Sequence, residues 1–147
     1  IDLGIEEGGV VLTGGKACDA PMQGVPTSAA FLRPTVFEGL SHEARIAREE
    51  IFGPVVTLHA FQTEEEAIAI ANATQYGLAG SVWTGDVERG HAFAQRLETG
   101  IVWVNTWLNR DLRTPFGGVK DSGVGREGGD WSMNFFSELT NICVQQP

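Results

Sequence analysis

The chain has 147 residues, of which 42% are hydrophobic and 20% are charged, and this composition is typical of a folded globular protein. Its formal net charge of −9 and its scattered basic residues disfavour nucleic acid as a partner, because nucleic-acid binding needs a basic surface. No apolar run approaches the roughly 20 residues that a membrane helix requires, so no membrane partner is predicted. The length allows one domain with a hydrophobic core.

The cysteines and histidines give no sign of a metal site. Cys18 and Cys143 are far apart and lack CxxC spacing, and the three histidines are widely separated in the sequence. This cysteine usage fits a protein of the reducing cytoplasm and argues against a disulfide framework. The sequence therefore predicts a cytoplasmic location and no metal.

Residues 1–40 read as short strands separated by turns. Val10 to Leu12 is a β-type run that ends at Gly14, and Ala29 to Phe37 is a second run that Pro34 interrupts. The charged segment from Ser41 to Glu50 follows these runs. This part of the chain predicts a small sheet.

The pattern changes at Val55, where strands begin to alternate with helices. Val55 to Phe61 is an apolar β-type run, and Thr63 with Glu66 has the spacing of a capping box that opens a helix. The buried face of this helix is predicted to consist of Ala67, Ile68, Ile70 and Ala71.

A second strand and helix follow. Leu78 to Thr84 reads as a strand, Asp86 can cap a helix that runs to Leu97, and Ile101 to Val104 reads as a buried strand. Alternation of strand and helix at this spacing predicts an α/β fold with a parallel sheet and right-handed crossovers.

The last third is rich in glycine and arginine. It reads as a loop from Asn105 to about Gly129, then as a short helix from Trp131 to Ser137 and a strand from Leu139 to Val144. A strand so close to the end of the chain is expected to pair with another chain or another domain.

One glycine segment matches the dinucleotide-binding fingerprint G-x-G-x-x-G, namely Gly123 to Gly128. That fingerprint binds pyrophosphate because it joins a strand to the N-terminus of a helix. Lys120 to Ser122 does not read as a strand, so a flexible glycine turn is the favoured interpretation. A different nucleotide-binding protein that uses this loop stays open as an alternative.

The run from Glu49 to Val55 combines two acids, an aromatic residue and a Gly-Pro turn. A carboxylate can accept hydrogen bonds from the two hydroxyls of a ribose, and an aromatic ring can pack on a nicotinamide. Glu50 and Phe52 would point the same way if this segment is extended. The alternative is a solvated acidic pair before a core phenylalanine.

This run and the later run from Pro115 to Lys120 resemble signatures of the aldehyde dehydrogenase superfamily. Tyr76 to Gly80 resembles its Tyr-Gly-Leu segment, and Ser122 to Glu127 resembles its Ser-Gly-x-Gly-Arg-Glu loop. The resemblance implies an α/β catalytic domain of aldehyde dehydrogenase type with a C-terminal strand for oligomerisation. It implies NAD as cofactor, with NADP possible, and cofactor contacts by Glu50, Phe52 and Leu78.

The substrate clue lies between Asn109 and Thr114, where Arg110 and Arg113 precede Phe116. The resemblance places Phe116 at the mouth of the active site, and a guanidinium group binds a carboxylate through two hydrogen bonds. This segment and the C-terminal residues look most like 2-hydroxymuconic and 2-aminomuconic semialdehyde dehydrogenases. The implied substrate is a semialdehyde that bears a carboxylate, bound first by Arg110 and second by Arg113. The alternative is a surface Arg-Asp pair.

The resemblance also implies that the nucleophilic cysteine and the general-base glutamate lie upstream of the matched region, so no catalytic residue is assigned here. Cys18 is not favoured as a nucleophile, because its turn, with Asp19 beside it, lacks the electropositive setting that a reactive thiol requires. The isolated chain is therefore expected to be inactive, with the remainder of the same enzyme as a partner in a homodimer or tetramer. A non-catalytic interaction module with the same fold is the rival hypothesis.

Three segments follow from the resemblance. Residues 1–118 correspond to the C-terminal part of the catalytic domain, residues 119–137 to a glycine-rich return segment, and residues 138–147 to the oligomerisation strand.

Overall fold

The computed structural model describes residues 1–18 and 31–146, which contain short helices and strands in a mixed α/β arrangement. The helices are α1 (Asp2–Glu6), α2 (Arg45–Arg48), α3 (Glu64–Asn72), α4 (Val87–Ala94) and α5 (Gly129–Phe135). The strands are β1 (Val10–Thr13), β2 (Thr35–Glu38), β3 (Val55–Thr57), β4 (Tyr76–Gly77), β5 (Ala79–Val82), β6 (Ile101–Val104) and β7 (Val119–Lys120).

The chain divides into two compact units, Ile1–Thr74 and Gln75–Pro147. These units are defined by packing and differ from the three segments predicted from the sequence, which were defined by function. The functional segmentation into 1–118, 119–137 and 138–147 stays a prediction.

The first unit is built on a three-stranded sheet of order β1-β2-β3. β1 and β2 are antiparallel, whereas β2 and β3 are parallel with Thr35 opposite Val55. The side chain of Phe37 in β2 is fully buried and packs with Leu40 and Ala44. The predicted small sheet is therefore present, although Ala29 and the residue after it, at the start of the second predicted run, lie outside the described residues.

Helix α2 is capped by a residue distant in sequence. Its N-cap position is Ala44, which has no side-chain acceptor. The carboxylate of Glu7 accepts hydrogen bonds from the backbone N–H groups of Arg45 at 2.9 Å and Ile46 at 3.4 Å instead. An anionic acceptor at a helix N-terminus is stabilising, so Glu7 ties α2 to the chain that follows α1.

Helix α3 begins as predicted. The Thr63 hydroxyl accepts from the Glu66 backbone N–H at 3.2 Å, while the Glu66 carboxylate accepts from the Gln62 N–H at 2.7 Å. The reciprocal bond thus reaches one residue further back than in the standard capping box. Ile68 is buried on the inner face, but Ala71 is exposed, so the predicted buried face was one residue too wide.

The second unit confirms one of the predicted parallel strand pairs. β5 and β6 are parallel, with Ala79 opposite Ile101, and α4 connects them. The carboxylate of Asp86 caps α4 by accepting from the Arg89 N–H at 3.0 Å. The predicted strand from Leu78 to Thr84 is shorter than expected, and β4 pairs separately with β7, an antiparallel pair that the sequence pattern did not predict.

The predicted C-terminal strand is not formed by the chain alone. Leu139, Ile142 and Val144 are exposed, and residues 138–146 have no regular secondary structure. A strand needs a hydrogen-bonded neighbour, and here none of the described residues pairs with this segment. Its pairing with another chain or domain stays a prediction. In the parts that the structure describes, no helix has the length and apolar character needed to cross a membrane.

Candidate active site

The segment that carries the predicted substrate residues starts at Asn105, directly after β6. Asn105 has a left-handed backbone with φ of 55°, which asparagine tolerates better than most residues. Its amide group accepts from the Thr84 N–H at 2.8 Å and donates to the Thr84 carbonyl at 2.8 Å. The chain therefore leaves the sheet at a fixed point, tied to the end of β5.

Two tryptophans hold the next part of the segment. The Trp103 side chain is buried, and its indole N–H donates to the carbonyl of Asn109 at 2.8 Å. The Trp107 ring meets it edge to face, with 5.0 Å between the ring centroids. Buried tryptophan N–H groups normally find such an acceptor, and this bond fixes the residue immediately before Arg110.

Arg113 lies in a turn closed by Asp111. The Thr114 N–H donates to the Asp111 carbonyl at 3.0 Å, and the Arg113 Nε–H donates to the Asp111 carboxylate at 2.9 Å. This hydrogen bond lowers the pKa of Asp111 and raises the pKa of Arg113. Arg113 is exposed, and its guanidinium is already occupied by a carboxylate of its own turn.

Arg110 has a different environment. Its guanidinium carbon lies 3.9 Å from the centroid of the Phe116 ring, and its Nη2 donates to Glu127 Oε1 at 2.5 Å. The backbones of Phe116 and Glu127 form an isolated antiparallel bridge with N–H to carbonyl distances of 2.8 and 2.7 Å. We call these three residues, Arg110, Phe116 and Glu127, the Arg110 cluster.

The glycines around this cluster allow backbone to approach backbone. A Cβ added at Gly100 would lie 1.6 Å from the carbonyl oxygen of Gly117, a distance that no side chain could accept. Gly128 has a φ of +96°, and a Cβ there would lie 2.3 Å from the carbonyl oxygen of Thr114. These glycines are thus required for close packing.

The segment that resembles a dinucleotide fingerprint begins with bends, and its last residues are held by hydrogen bonds. The N–H of Gly128 donates to the Ser132 hydroxyl at 2.8 Å, and Glu127 is paired with Phe116 as described above. Helix α5 begins at Gly129, directly after the segment, and has only seven residues. Gly128 packs against the Thr114 carbonyl, whereas a Cβ at Gly125 would meet none of the described residues within 4 Å. The flexible glycine turn stays a prediction.

In the first unit, the two acids of the Glu49 to Val55 run have different environments. Glu49 accepts a hydrogen bond from Arg45 at 2.7 Å, and this bond lowers the pKa of Glu49. Glu50 is exposed and makes no hydrogen bond or ion pair with any of the residues that the structure describes. One acid therefore stabilises α2, whereas the other presents a carboxylate to its surroundings.

Phe52 departs from the extended backbone that the sequence suggested. It has a φ of 52°, and its side chain is 93% exposed. A left-handed backbone costs a residue with a Cβ roughly 1–2 kcal/mol, and such strain is concentrated at functional sites. Glu50 and Phe52 were predicted to point the same way only if this segment is extended, and that condition is not met at Phe52. The roles predicted for them do not depend on it.

Leu78, the third predicted cofactor residue, lies in the second unit between β4 and β5. Its carbonyl accepts from the Ile101 N–H at 3.2 Å, while its side chain is 46% exposed. The backbone of Leu78 is thus fixed and its apolar side chain is available for contact.

Sequence reasoning assigned no role to several residues that shape the site. Glu127 was read only as part of a family loop, although its charge is opposite to that of Arg110. Trp103 was read only as part of a buried strand. Arg110 and Glu127 are 17 positions apart, and the segment between them follows no helical or strand period, so no local pattern could have paired them.

Comparison with known proteins identifies the family of this chain. Residues 1–142 match the model of the Aldehyde dehydrogenase family. The chain is 48% identical over 141 residues to 2-hydroxymuconic semialdehyde dehydrogenase of Pseudomonas putida, an alignment that covers 96% of this chain and 29% of that protein. It is 49% identical over 150 aligned residues to 2-aminomuconic 6-semialdehyde dehydrogenase of a Pseudomonas species, covering 98% of this chain and 29% of that protein.

A solved structure agrees with these relatives. The aldehyde dehydrogenase of Mycobacterium tuberculosis complexed with NAD+ superimposes with a TM-score of 0.83 and 44% identity, over 93% of this chain and 27% of that one. The chain belongs to the aldehyde dehydrogenase family, and the predicted α/β fold of that family is confirmed. The chain spans less than a third of the length of these relatives.

Proposed function

We propose that this chain supplies the nicotinamide-side and substrate-side contacts of an NAD-dependent aldehyde dehydrogenase that oxidises a carboxylate-bearing semialdehyde to the acid. The observation that carries the proposal is the guanidinium of Arg110 stacked 3.9 Å from the ring centroid of Phe116, within a chain about 48% identical to a 2-hydroxymuconic semialdehyde dehydrogenase. The stacked position gives the positive charge a defined place beside an apolar surface.

On the cofactor side, the chain offers a hydrogen-bond acceptor and apolar side chains, which are groups that a nicotinamide nucleoside can contact. In the first unit, the carboxylate of Glu50 has no partner among the described residues and can accept from ribose hydroxyls, and the exposed ring of Phe52 can contact a flat heterocycle. In the second unit, considered by itself, Leu78 offers an exposed apolar side chain. NAD, when bound, accepts a hydride from the substrate. The relative from Mycobacterium tuberculosis was solved with NAD+, which supports NAD over NADP here.

On the substrate side, Arg110 is the first candidate for the carboxylate and Arg113 the second. Glu127 receives one hydrogen bond from Nη2 of Arg110, and a guanidinium group carries five donors. Arg110 therefore keeps its Nε and Nη1 donors for a substrate carboxylate, whereas Arg113 already commits both Nε and Nη2 to Asp111. A 2-hydroxymuconic and a 2-aminomuconic semialdehyde offer the same carboxylate to this arrangement.

The thiolate nucleophile and the general base belong, in this proposal, to the remainder of the same enzyme. The chain alone would then give no turnover, and a burst of NADH from the chain with semialdehyde and NAD would contradict this. The segment from Leu139 to Val144 is proposed to pair across a subunit boundary in a cytoplasmic homodimer or tetramer, because its apolar residues are exposed and without strand partners among the described residues.

The test of the substrate assignment is Arg110→Ala in the complete enzyme. A charge-assisted hydrogen bond contributes about 1.5–3 kcal/mol, so KM for 2-hydroxymuconic semialdehyde should rise roughly tenfold to a hundredfold. The matched control is Arg113→Ala, whose guanidinium pairs with Asp111 and whose loss should change KM about threefold at most, the range of a weak surface contact. An unchanged KM in the Arg110→Ala enzyme would show that the carboxylate binds elsewhere.

A further inference from the structure

We propose that Glu127 is a positioning residue that holds the guanidinium of Arg110 against Phe116, and thereby sets the preference of the enzyme for carboxylate-bearing aldehydes over neutral ones. The inference rests on the proposed function, since it concerns the same substrate contact. It adds a residue to which sequence reasoning gave no role.

The geometry fixes Glu127 relative to the ring of Phe116. Two backbone hydrogen bonds of 2.8 and 2.7 Å join these residues in both directions, so the Glu127 carboxylate originates from a point that cannot shift without breaking the bridge. The same carboxylate accepts from Arg110 Nη2 at 2.5 Å. Glu127 therefore holds the Phe116 backbone in place and also orients the Arg110 guanidinium that lies over the Phe116 ring.

The ion pair itself contributes little to stability. The side chains of Arg110 and Glu127 are 32% and 62% exposed, and ion pairs at such exposed sites are weak. What the pair changes is the conformational freedom of Arg110, whose long side chain has many rotamers. Holding the guanidinium in place before the substrate arrives removes part of the entropic cost of binding.

Glu127 is placed to position Arg110 without blocking it. It takes one Nη2 hydrogen bond, and Arg110 forms no other hydrogen bond with the residues that the structure describes. Arg113 provides the contrast, because two of its nitrogens donate to both oxygens of Asp111. The Arg110 guanidinium therefore keeps its Nε donor for a substrate carboxylate. In Arg113 the edge formed by Nε and Nη2 is occupied by Asp111.

The experiment measures substrate preference in the complete enzyme carrying Glu127→Ala, Glu127→Gln, Arg110→Ala or the Arg110→Ala/Glu127→Ala pair. The ratio of kcat/KM for 2-hydroxymuconic semialdehyde to that for hexanal is the readout. Glu127→Ala should lower this ratio about tenfold through KM of the semialdehyde, and Glu127→Gln, which keeps an acceptor oxygen, should recover part of the loss. In the Arg110→Ala background the second substitution should lower the ratio no further, because the two residues act as one unit.

A second readout does not need activity. In the 147-residue chain, the proton on Nε of Arg110 should resonate upfield because of the ring current of Phe116, and the shift should be lost in Glu127→Ala. Phe116→Leu removes the ring and identifies the resonance. Glu38→Ala, which removes an exposed carboxylate at the end of β2, is the control for loss of one negative charge and should leave the shift in place.

The outcomes separate the two proposals. If Arg110→Ala lowers the ratio but Glu127→Ala does not, or if the two losses add, the positioning role is overturned and the substrate assignment stands. A resonance unmoved by Glu127→Ala overturns the positioning role independently. If Arg110→Ala itself leaves the ratio unchanged, the substrate assignment fails, whatever the resonance shows.

Discussion

The two regions with predicted ligand contacts, the corner formed by Glu50, Ile51 and Phe52 in the first unit and the Arg110 cluster in the second, present their side chains in opposite ways. In the corner, the backbone is strained and the side chains are exposed, with Phe52 at 93% and Glu50 without a partner among the described residues. In the cluster, the Arg110 guanidinium lies over the Phe116 ring and donates to the Glu127 carboxylate, and the backbones of Phe116 and Glu127 are hydrogen-bonded to each other. The corner therefore leaves its side chains exposed, whereas the cluster arranges its contacts within the chain.

This difference follows from how each region is held. The Arg110 cluster rests on a tightly packed frame in which glycine backbones touch. The corner follows a four-residue helix whose Arg45 pairs with Glu49, the residue just before the corner. The stability of the glycine frame should therefore depend on side-chain volume. The stability of the corner should depend on which residues tolerate its left-handed backbone.

The largest expected effect comes from adding a methyl group to the frame with Gly100→Ala. Its Cβ would lie 1.6 Å from the Gly117 carbonyl oxygen, so the backbone must move, and we expect a loss of at least about 3 kcal/mol in the free energy of unfolding. All four tryptophans lie in the second unit, so tryptophan fluorescence during urea unfolding reports on this unit.

Gly80→Ala in β5 is the matched control for this substitution. A Cβ there would meet Leu97 at 3.4 Å, an ordinary contact, and the fluorescence midpoint should stay near that of the unsubstituted chain. Equal midpoints for Gly100→Ala and Gly80→Ala would show that the two segments do not touch as described.

A smaller effect is expected in the corner. Two substitutions of Phe52 distinguish the contribution of its ring from that of its left-handed backbone. Phe52→Ala removes an exposed ring and keeps the left-handed strain, so stability should hardly change. Phe52→Gly relieves the strain at some cost in unfolded-state entropy, and it should be about 0.5–1 kcal/mol more stable than Phe52→Ala.

Both Phe52 variants should weaken NAD binding to the complete enzyme to a similar extent, because both lack the ring. Amide hydrogen exchange in β2 and β3 measures the stability of the first unit, which contains no tryptophan. A clear loss of stability in Phe52→Ala would mean that the ring is packed and not presented, and equal stability of the two variants would mean that the left-handed backbone carries no cost.

Much of this fold could be predicted because its signals are local. The caps formed by Thr63 and Asp86 lie within three residues of their partners, and the β5-α4-β6 unit follows from alternating apolar runs. The cap that Glu7 places on α2, 38 residues away, has no such signal. The β4 and β7 pair escaped prediction for the same reason, since each strand has only two residues.

The candidate site was predictable only in part. Family resemblance pointed to Arg110 and Phe116, and the structure brings these two together. It did not give the contrast between Arg110 and Arg113, because that contrast depends on which carboxylate each guanidinium meets in space. Nor did it give the left-handed conformation of Phe52, which is unusual for an aromatic residue and has no sequence signature.

The smallest effect is expected from a change of pH, which should alter the stability of the first unit. In the first unit, Nδ1 of His42 and Nδ1 of His59 lie 3.2 Å apart, and burial followed by the charge of His42 lowers the pKa of His59. The unfolded chain then binds a proton more readily than the folded chain, so the stabilisation is complete above about pH 6.5 and declines as the pH falls through that value. Asp111, whose pKa Arg113 lowers, stays ionised over the same range.

Amide exchange in β2 and β3 should therefore accelerate slightly between pH 7.5 and 5.5, after correction for the intrinsic exchange rate. His59→Gln should reduce this acceleration, because it removes the group whose protonation opposes folding. His91→Gln, in the exposed last turn of α4, is the matched control and should leave the pH dependence of the first unit intact. If His59→Gln and the unsubstituted chain respond equally, the histidine pair does not couple protonation to folding.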